Sequence, residues 1–350
     1  MTERAAHLID SVLPDTPVRQ WVLSLPIQMR YLIAYDARLC SKILNAFIRE
    51  VFRWYRRYAK EYAGLNSMSE PRCGSVTFIQ RAGSALNLNV HFHALVLDGV
   101  YLHQGWAKPL SFLVLPAPRT IDVENILLRV RKRVMAILEA YGHLDTDSFD
   151  ELSLSEPLLA SCTQSSLISG TSKKDEPPPL ERCADFDYFS LHANTRVRAS
   201  ERKRLEKLCR YVARPPVSNQ LLVELNGERV GYKLKRPWSD GTTMVVFKPH
   251  DFIQRLASMV PPPRSHQVRY HGVLASASSL RSFVVPNRPR NPLVRRRTNY
   301  CWAELMKRAF EIDVLECPQC KGPMRLIACI MERKAIREIL GTVGMPGDSP

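Results

Sequence analysis

Apolar residues along the chain follow two periods, and the switches between them mark out the elements. From Ser41 to Tyr62 they recur at helical spacing: Ile43, Leu44, Phe47, Val51, Trp54 and Tyr55 form a stripe, and Arg53, Arg56, Arg57 and Lys60 lie around the rest. Residues 1–66 as a whole read as a helical N-terminal region. The period then shortens to two. GSVTFIQR (74–81) alternates as a first strand, Asn87–Asp98 as a second, and Asp98-Gly99 supplies a hairpin turn. Val100–His103 and Leu110–Leu115 are expected to continue that sheet. Ile121–Tyr141 returns to helical spacing, with Arg129, Arg131, Lys132 and Arg133 clustered on it.

From Gly142 to about Thr195 the pattern lapses into Ser, Asp, Glu and Pro, including SKKDEPPP, and this reads as a long acidic, partly disordered insertion at 142–195. Ala199–Ala213 is a basic helix stopped by Pro215-Pro216. Leu221–Leu225, Arg229–Lys235 and Thr242–Phe247 alternate around Asn226-Gly227 and Asp240-Gly241, the signature of a β-meander. PHDFIQRLASMV (249–260) is helical and a Pro-rich joint follows at 261–264. The stretch 281–300 is basic and irregular, with Arg288, Arg290, Arg295, Arg296 and Arg297. A helix over Trp302–Ile312, a CPQC turn, an apolar strand over Met324–Ile330 and a short helix close the chain. The whole predicts an α+β protein. Its expected parts are a helical region (1–66), an antiparallel sheet flanked by helices (67–260, carrying the insertion) and a basic, Cys-containing C-terminal region (261–350).

Inside the second strand, His91 and His93 stand one residue apart. Successive strand side chains point to opposite faces, so the two imidazoles share one face while Val90, Phe92 and Ala94 take the other. Two neutral imidazoles on a rigid strand make two-thirds of a divalent-metal site; the bland alternative is a pair of satisfied core histidines. Charge sharpens the picture. Fifty Lys and Arg against 34 Asp and Glu leave a formal charge of +16, which favours a polyanionic partner such as nucleic acid over mere solubility. Nine cysteines, odd in number and without a secretory leader, read as reduced thiols in a cytoplasmic protein. No stretch approaches the roughly 18 apolar residues of a membrane span.

HFHALVLDGVY with the preceding RAGSALNLN, LCRYVARPPVSN (208–219), KRPWSDGTT (235–243), VRYHGVLA (268–275) and FEIDVLECPQCKGPMRLIA (310–328) occur in this order. Together they resemble the rolling-circle insertion-sequence transposases of the His-hydrophobe-His (HUH) endonuclease superfamily, in the single-tyrosine branch. The resemblance runs from about Val18 to Leu340, interrupted by the insertion. It implies a small antiparallel sheet with the histidine strand at its centre, a nucleophilic tyrosine on a nearby helix, and bacterial, nucleoid-associated work on DNA. Relatives begin with a Cys-rich zinc module that this sequence lacks, so a truncated copy is expected.

On this resemblance Tyr211 is the expected nucleophile. It lies in a helix with Arg202, Lys203, Arg204, Lys207 and Arg210, and cations beside a phenol favour its ionised form and hold a phosphate backbone. A packed interfacial ring is the alternative. Lys207 and Pro215 stand where a second tyrosine one turn away would sit, so one tyrosine is expected to act. His91 and His93 would hold Mg²⁺ or Mn²⁺, with Gln80 as a candidate third ligand and His266 and His271 as others. Cys317 and Cys320 form one half of a zinc knuckle, and a structural Zn²⁺ there would need two further ligands, for which Cys301 and Cys329 are available. Arg214, Lys235, Arg236, Arg295, Arg296 and Arg297 are expected to follow single- or double-stranded DNA at element ends and target, and Trp238 to stack on an unpaired base or fill the meander core. The rivals are a replication initiator or relaxase with the same core, and an inactive DNA-binding remnant. Self-association is left open by the sequence.

Overall fold

The structure is a computed structural model that describes residues 2–102, 110–143, 181–235, 237–238, 240–286, 300–325, 327 and 330–342. His103, most of the expected insertion (144–180), Arg236, Arg288, Arg290, Arg295, Arg296, Arg297 and Cys329 lie outside the described residues. The chain divides into two compact units: Ala5–Arg288, and Pro289–Pro350 together with Met1–Arg4. No helix among the described residues is long and apolar enough to cross a membrane.

The larger unit is α+β, built on an antiparallel sheet flanked by helices. Its strands run in the order β12 (Val268–Gly272), β2 (Gly74–Ala82), β3 (Leu88–Leu97), β1 (Val18–Ser24), β7 (Phe189–His192) and β6 (Cys183–Phe186), with the short β8 (Arg196–Val197) also paired to β1. Three of these strands correct the sequence reading. β1, which falls in the stretch expected to be helical, runs antiparallel beside the histidine strand, from Val18 opposite Leu97 to Ser24 opposite His91. β6 and β7 occupy the end of the expected insertion and form a hairpin on the sheet edge. Conversely, β4 (Gly99–Leu102) and β5 (Ser111–Val114) pair with each other as a separate ribbon and do not extend the main sheet.

Each face of the sheet has its own core. Trp21, Leu23, Val90, Phe92, Ala94 and Val96 are buried under α2 (Ile27–Tyr35), α3 (Ala37–Ala63) and α4 (Thr120–Ala140). α3 starts cleanly because the Asp36 side chain accepts hydrogen bonds from the backbone N–H groups of Arg38 and Leu39, both at 2.8 Å. It ends at Gly64 in the left-handed conformation. On the opposite face Val18, Val76, Phe78, Leu95 and Leu97 are covered by α1 (Thr2–Ser11) and α5 (Arg202–Val212), through Leu8, Val12, Leu205, Cys209 and Val212. A three-stranded meander, β9 (Leu222–Leu225), β10 (Arg229–Lys233) and β11 (Met244–Phe247), packs with α6 (Pro249–Met259) around Tyr232, Phe247 and Met259. The short α7 (Arg281–Val284) follows β12.

Buried charges lock the first core to the sheet. Arg19 donates from Nε and Nη2 to the two Asp98 oxygens at 2.8 and 3.0 Å, Arg196 adds a bond of 2.7 Å, and the Tyr55 hydroxyl donates to Asp98 at 3.0 Å. Beside this ion pair, burial and the Asp98 charge hold the Tyr55 phenol well above its ordinary range.

The smaller unit contains α8 (Trp302–Phe310), α9 (Arg333–Thr342) and the CPQC turn, whose arms meet at an isolated bridge between Glu316 and Pro323. The described residues of the expected strand Met324–Ile330 belong to no strand; the backbone N–H of Met324 instead donates to the Leu315 carbonyl at 2.7 Å.

Candidate active site on the histidine strand

The register fixes which side chains share the face of His91 and His93. Directly across from His91 are Gln80 on β2 and Ser24 on β1; across from His93 are Phe78 and Val22. The imidazoles stand at the end of the strand that the α1–α5 core leaves uncapped, with ring centroids 4.9 Å apart. Both are tethered through Nδ1. His91 Nδ1 lies 2.8 Å from the Asn89 carbonyl, which can only accept, so this nitrogen carries the proton and Nε2 keeps its lone pair. His93 Nδ1 lies 2.6 Å from the side-chain amide of Gln20 on β1. The atom facing it is Gln20 Nε2, so as placed the amide donates and His93 carries its proton on Nε2; flipping the amide to present its oxygen makes Nδ1 the donor and frees the Nε2 lone pair.

Electrostatics keep both rings neutral. Burial lowers the His91 pKa most, and the charges of Arg30 and Arg214 lower it further. Burial, the neighbouring His91 and Arg214 push His93 down to about 3. A neutral imidazole with an exposed lone pair is the form that can ligate a metal.

Tyr211 comes to this site from far along the chain. It is the penultimate residue of α5, half exposed, with its ring centroid 6.4 Å from that of His93. The Arg214 guanidinium lies over the same ring, 4.5 Å from its centroid. Two anchors explain the position of the helix. At its start, Arg202 donates to the carbonyls of Ile9, Leu13 and Pro14 at 2.6, 3.0 and 2.9 Å and pairs with Asp15. At its end, Gln80 Nε2 donates 2.7 Å to the Val212 carbonyl, one of the acceptors a helix C-terminus leaves unused. Gln80 thus faces His91 and at the same time ties down the turn that carries Tyr211.

Other candidates fall elsewhere. His271 pairs with Ser75, on the opposite face of the sheet from His91, and cannot reach it; His266 is exposed in the loop before β12. Arg202 is spent on α1, whereas Lys203, Arg204, Lys207 and Lys235 are exposed, Arg204 beside Glu201. Arg210 and Trp238 are part-buried. Among the described residues no group of three or more His, Cys, Asp or Glu side chains is placed to share a metal ion. At the CPQC turn, the backbone N–H groups of Cys320 and Gln319 point at the Cys317 thiol and hold its pKa below the ordinary thiol range. Gln20 and Arg30 were not legible from the sequence. The one signal for Gln20 was a polar residue inside VRQWVLS, which reads as a strand once its alternation is noticed.

The central strand thus presents two imidazoles, and the basic helix α5 brings a tyrosine ring beside them. A family model described as "Putative transposase" matches residues 74–281, which include the histidine strand, Gln80 and Tyr211. The chain belongs to this transposase family. Neither the comparison with curated proteins nor that with solved structures gave a match.

Proposed function

We propose that this transposase nicks and rejoins single-stranded DNA through a covalent link to Tyr211, in rolling-circle-type transposition at the ends of a mobile element. The observation that carries the reading is the approach of the Tyr211 ring to His93 across 118 positions of sequence. The Tyr211 oxygen attacks phosphorus; the new O–P bond forms as the bond from phosphorus to the 3′-oxygen breaks; that oxygen leaves as a 3′-hydroxyl after taking a proton, and the phenol proton passes to solvent. The 5′-phosphate stays on the protein, so bond energy is conserved and a 3′-hydroxyl can reverse the step without ATP. With one tyrosine at the site, one strand is attacked at a time.

The residues present fit a divalent metal. His91 offers an Nε2 lone pair, His93 offers a second once the Gln20 amide is flipped, and the Gln80 amide donates to Val212 through its nitrogen. On the same face Asn89 Oδ1 is buried without a hydrogen-bond partner. Mixed nitrogen and oxygen donors suit Mn²⁺ or Mg²⁺. When bound, such an ion supplies Lewis acidity at the scissile phosphate. The protein groups position it: Gln20 and the Asn89 carbonyl orient the imidazoles, and Gln80 holds the tyrosine turn. Zn²⁺ at Cys317 and Cys320 is a separate proposal, which the N–H groups aimed at the Cys317 thiol support.

Single-stranded oligonucleotides from the element ends, incubated with protein and Mn²⁺, should give an adduct that survives denaturant. Tyr211→Phe should form none, and His91→Ala and His93→Ala should each remove the metal requirement together with most of the product. Adduct formed equally by Tyr211→Phe would overturn the nucleophile. No adduct from wild-type protein on any end would leave a DNA-binding remnant as the better reading.

A further inference from the structure

Several arginines of the larger unit are matched to carboxylates or carbonyls: Arg19 and Arg196 to Asp98, Arg133 to Glu50, Arg81 to the carbonyls that end α2 and α6. Around the two histidines the arginines are not matched in this way. Arg30 on α2 makes a single bond, from Nε to the Leu25 carbonyl at 2.7 Å. That bond fixes it just past Ser24, the residue opposite His91. Arg214, two residues beyond α5, lies over the Tyr211 ring. Lys235, just after β10, is close enough to Arg214 for their charges to interact. No carboxylate among the described residues pairs with any of the three. Burial alone depresses the Arg30 pKa, with no acidic neighbour to offset it.

Cations from three separate elements thus gather near the histidines: the charges of part-buried Arg30 and Arg214 both reach the His91 ring, and exposed Lys235 lies beside Arg214. A cation withdrawn from water needs an anion, and a guanidinium with its Nη groups open is shaped for the two oxygens of a phosphate. We infer that Arg30 and Arg214, with Lys235 beside them, form an anion site that seats one backbone phosphate of single-stranded DNA against the His91–His93 pair. Arg30 is a binding residue at this site. The site rests on the reading of this face as the place of DNA cleavage, but binding and cleavage separate experimentally.

The test uses the full chain in EDTA, where no cleavage occurs, and a fluorescein-labelled single-stranded oligonucleotide read by anisotropy across a salt series. Losing one phosphate contact lowers the slope of log affinity against log salt by about 0.7 for single strands. Arg30→Gln and Arg214→Gln should each show this loss with weaker binding, Arg30→Lys should keep the wild-type slope, and the exposed control Arg57→Gln should leave binding unchanged. Wild-type affinity and slope in folded Arg30→Gln overturn the proposal. Should Arg30→Gln fail to fold, an unchanged slope in Arg214→Gln overturns it equally. A slope change without any Tyr211 adduct in metal would instead sink the phosphotyrosine chemistry and leave the anion site standing.

Discussion

On the proposed chemistry Gln20 acts through His93, whose Nδ1 it holds at 2.6 Å. Groups that hydrogen-bond the far ring nitrogen of a metal-binding histidine typically contribute about 10–100-fold in metal affinity or activity. Gln20→Ala should therefore weaken Mn²⁺ binding, read by titration, by about that factor while the His91–Asn89 tether persists. Unaltered Mn²⁺ affinity would show that the amide plays no orienting part. At the same scale, Asp98 is fully buried between two arginines and Tyr55. Its replacement by Ala leaves buried Arg19 charged with only the Ala193 carbonyl to accept from it, and should cost about 3–5 kcal/mol by urea unfolding. The sequence showed the histidine pair and Tyr211 because residue type and local spacing mark them. It hid Gln20 and Arg30, whose roles depend on which strand lies beside which.

At the level of elements, helices and long strands were readable because their periods persist. α3, α4, β2 and β3 lie within a residue or a few of the patterned stretches. β1 escaped because Arg19 and Gln20, polar in type, are both buried in it and blur the alternation. The β6–β7 hairpin escaped for a different reason. Its two-residue turn, Asp187-Tyr188, adopts positive φ at both positions (47° and 61°), the geometry usually signalled by Asn-Gly. Gly272 ends β12 at φ +61°, where an added Cβ would fall 2.0 Å from the Cys73 carbonyl oxygen. Gly272→Ala should destabilise the edge of the sheet by more than about 1 kcal/mol, seen as a lower urea midpoint with an unchanged m-value. A neutral outcome would mean that the strand end can shift away from Cys73.

For the molecule as a whole, pH and charge set the terms. Burial holds His271 neutral down to about 4 and His93 to about 3. In an unfolded chain histidines titrate near 6.5. Their folded pKa values are depressed, so between roughly 6.5 and 4 the unfolded chain takes up protons that the fold refuses. The stability they contribute is complete above about 6.5 and drains as pH falls, by up to about 1.4 kcal/mol per pH unit for each histidine. Metal-free protein should unfold at lower urea at pH 5 than at pH 7.5, and His271→Gln should shrink the difference. Equal midpoints at the two pH values would contradict the neutral burial of these rings.

β1 also has a consequence for synthesis. The strand leaves the ribosome early, yet one of its neighbours is β3 and the other is β7, whose residues follow only after the long segment from 144 to 180. Pairings so distant along the chain form slowly and late. The helix bearing Tyr211 emerges later still. A nascent chain can thus expose its histidine strand well before the tyrosine helix exists to join it, and on the proposed chemistry it is unable to cut DNA until translation has passed α5.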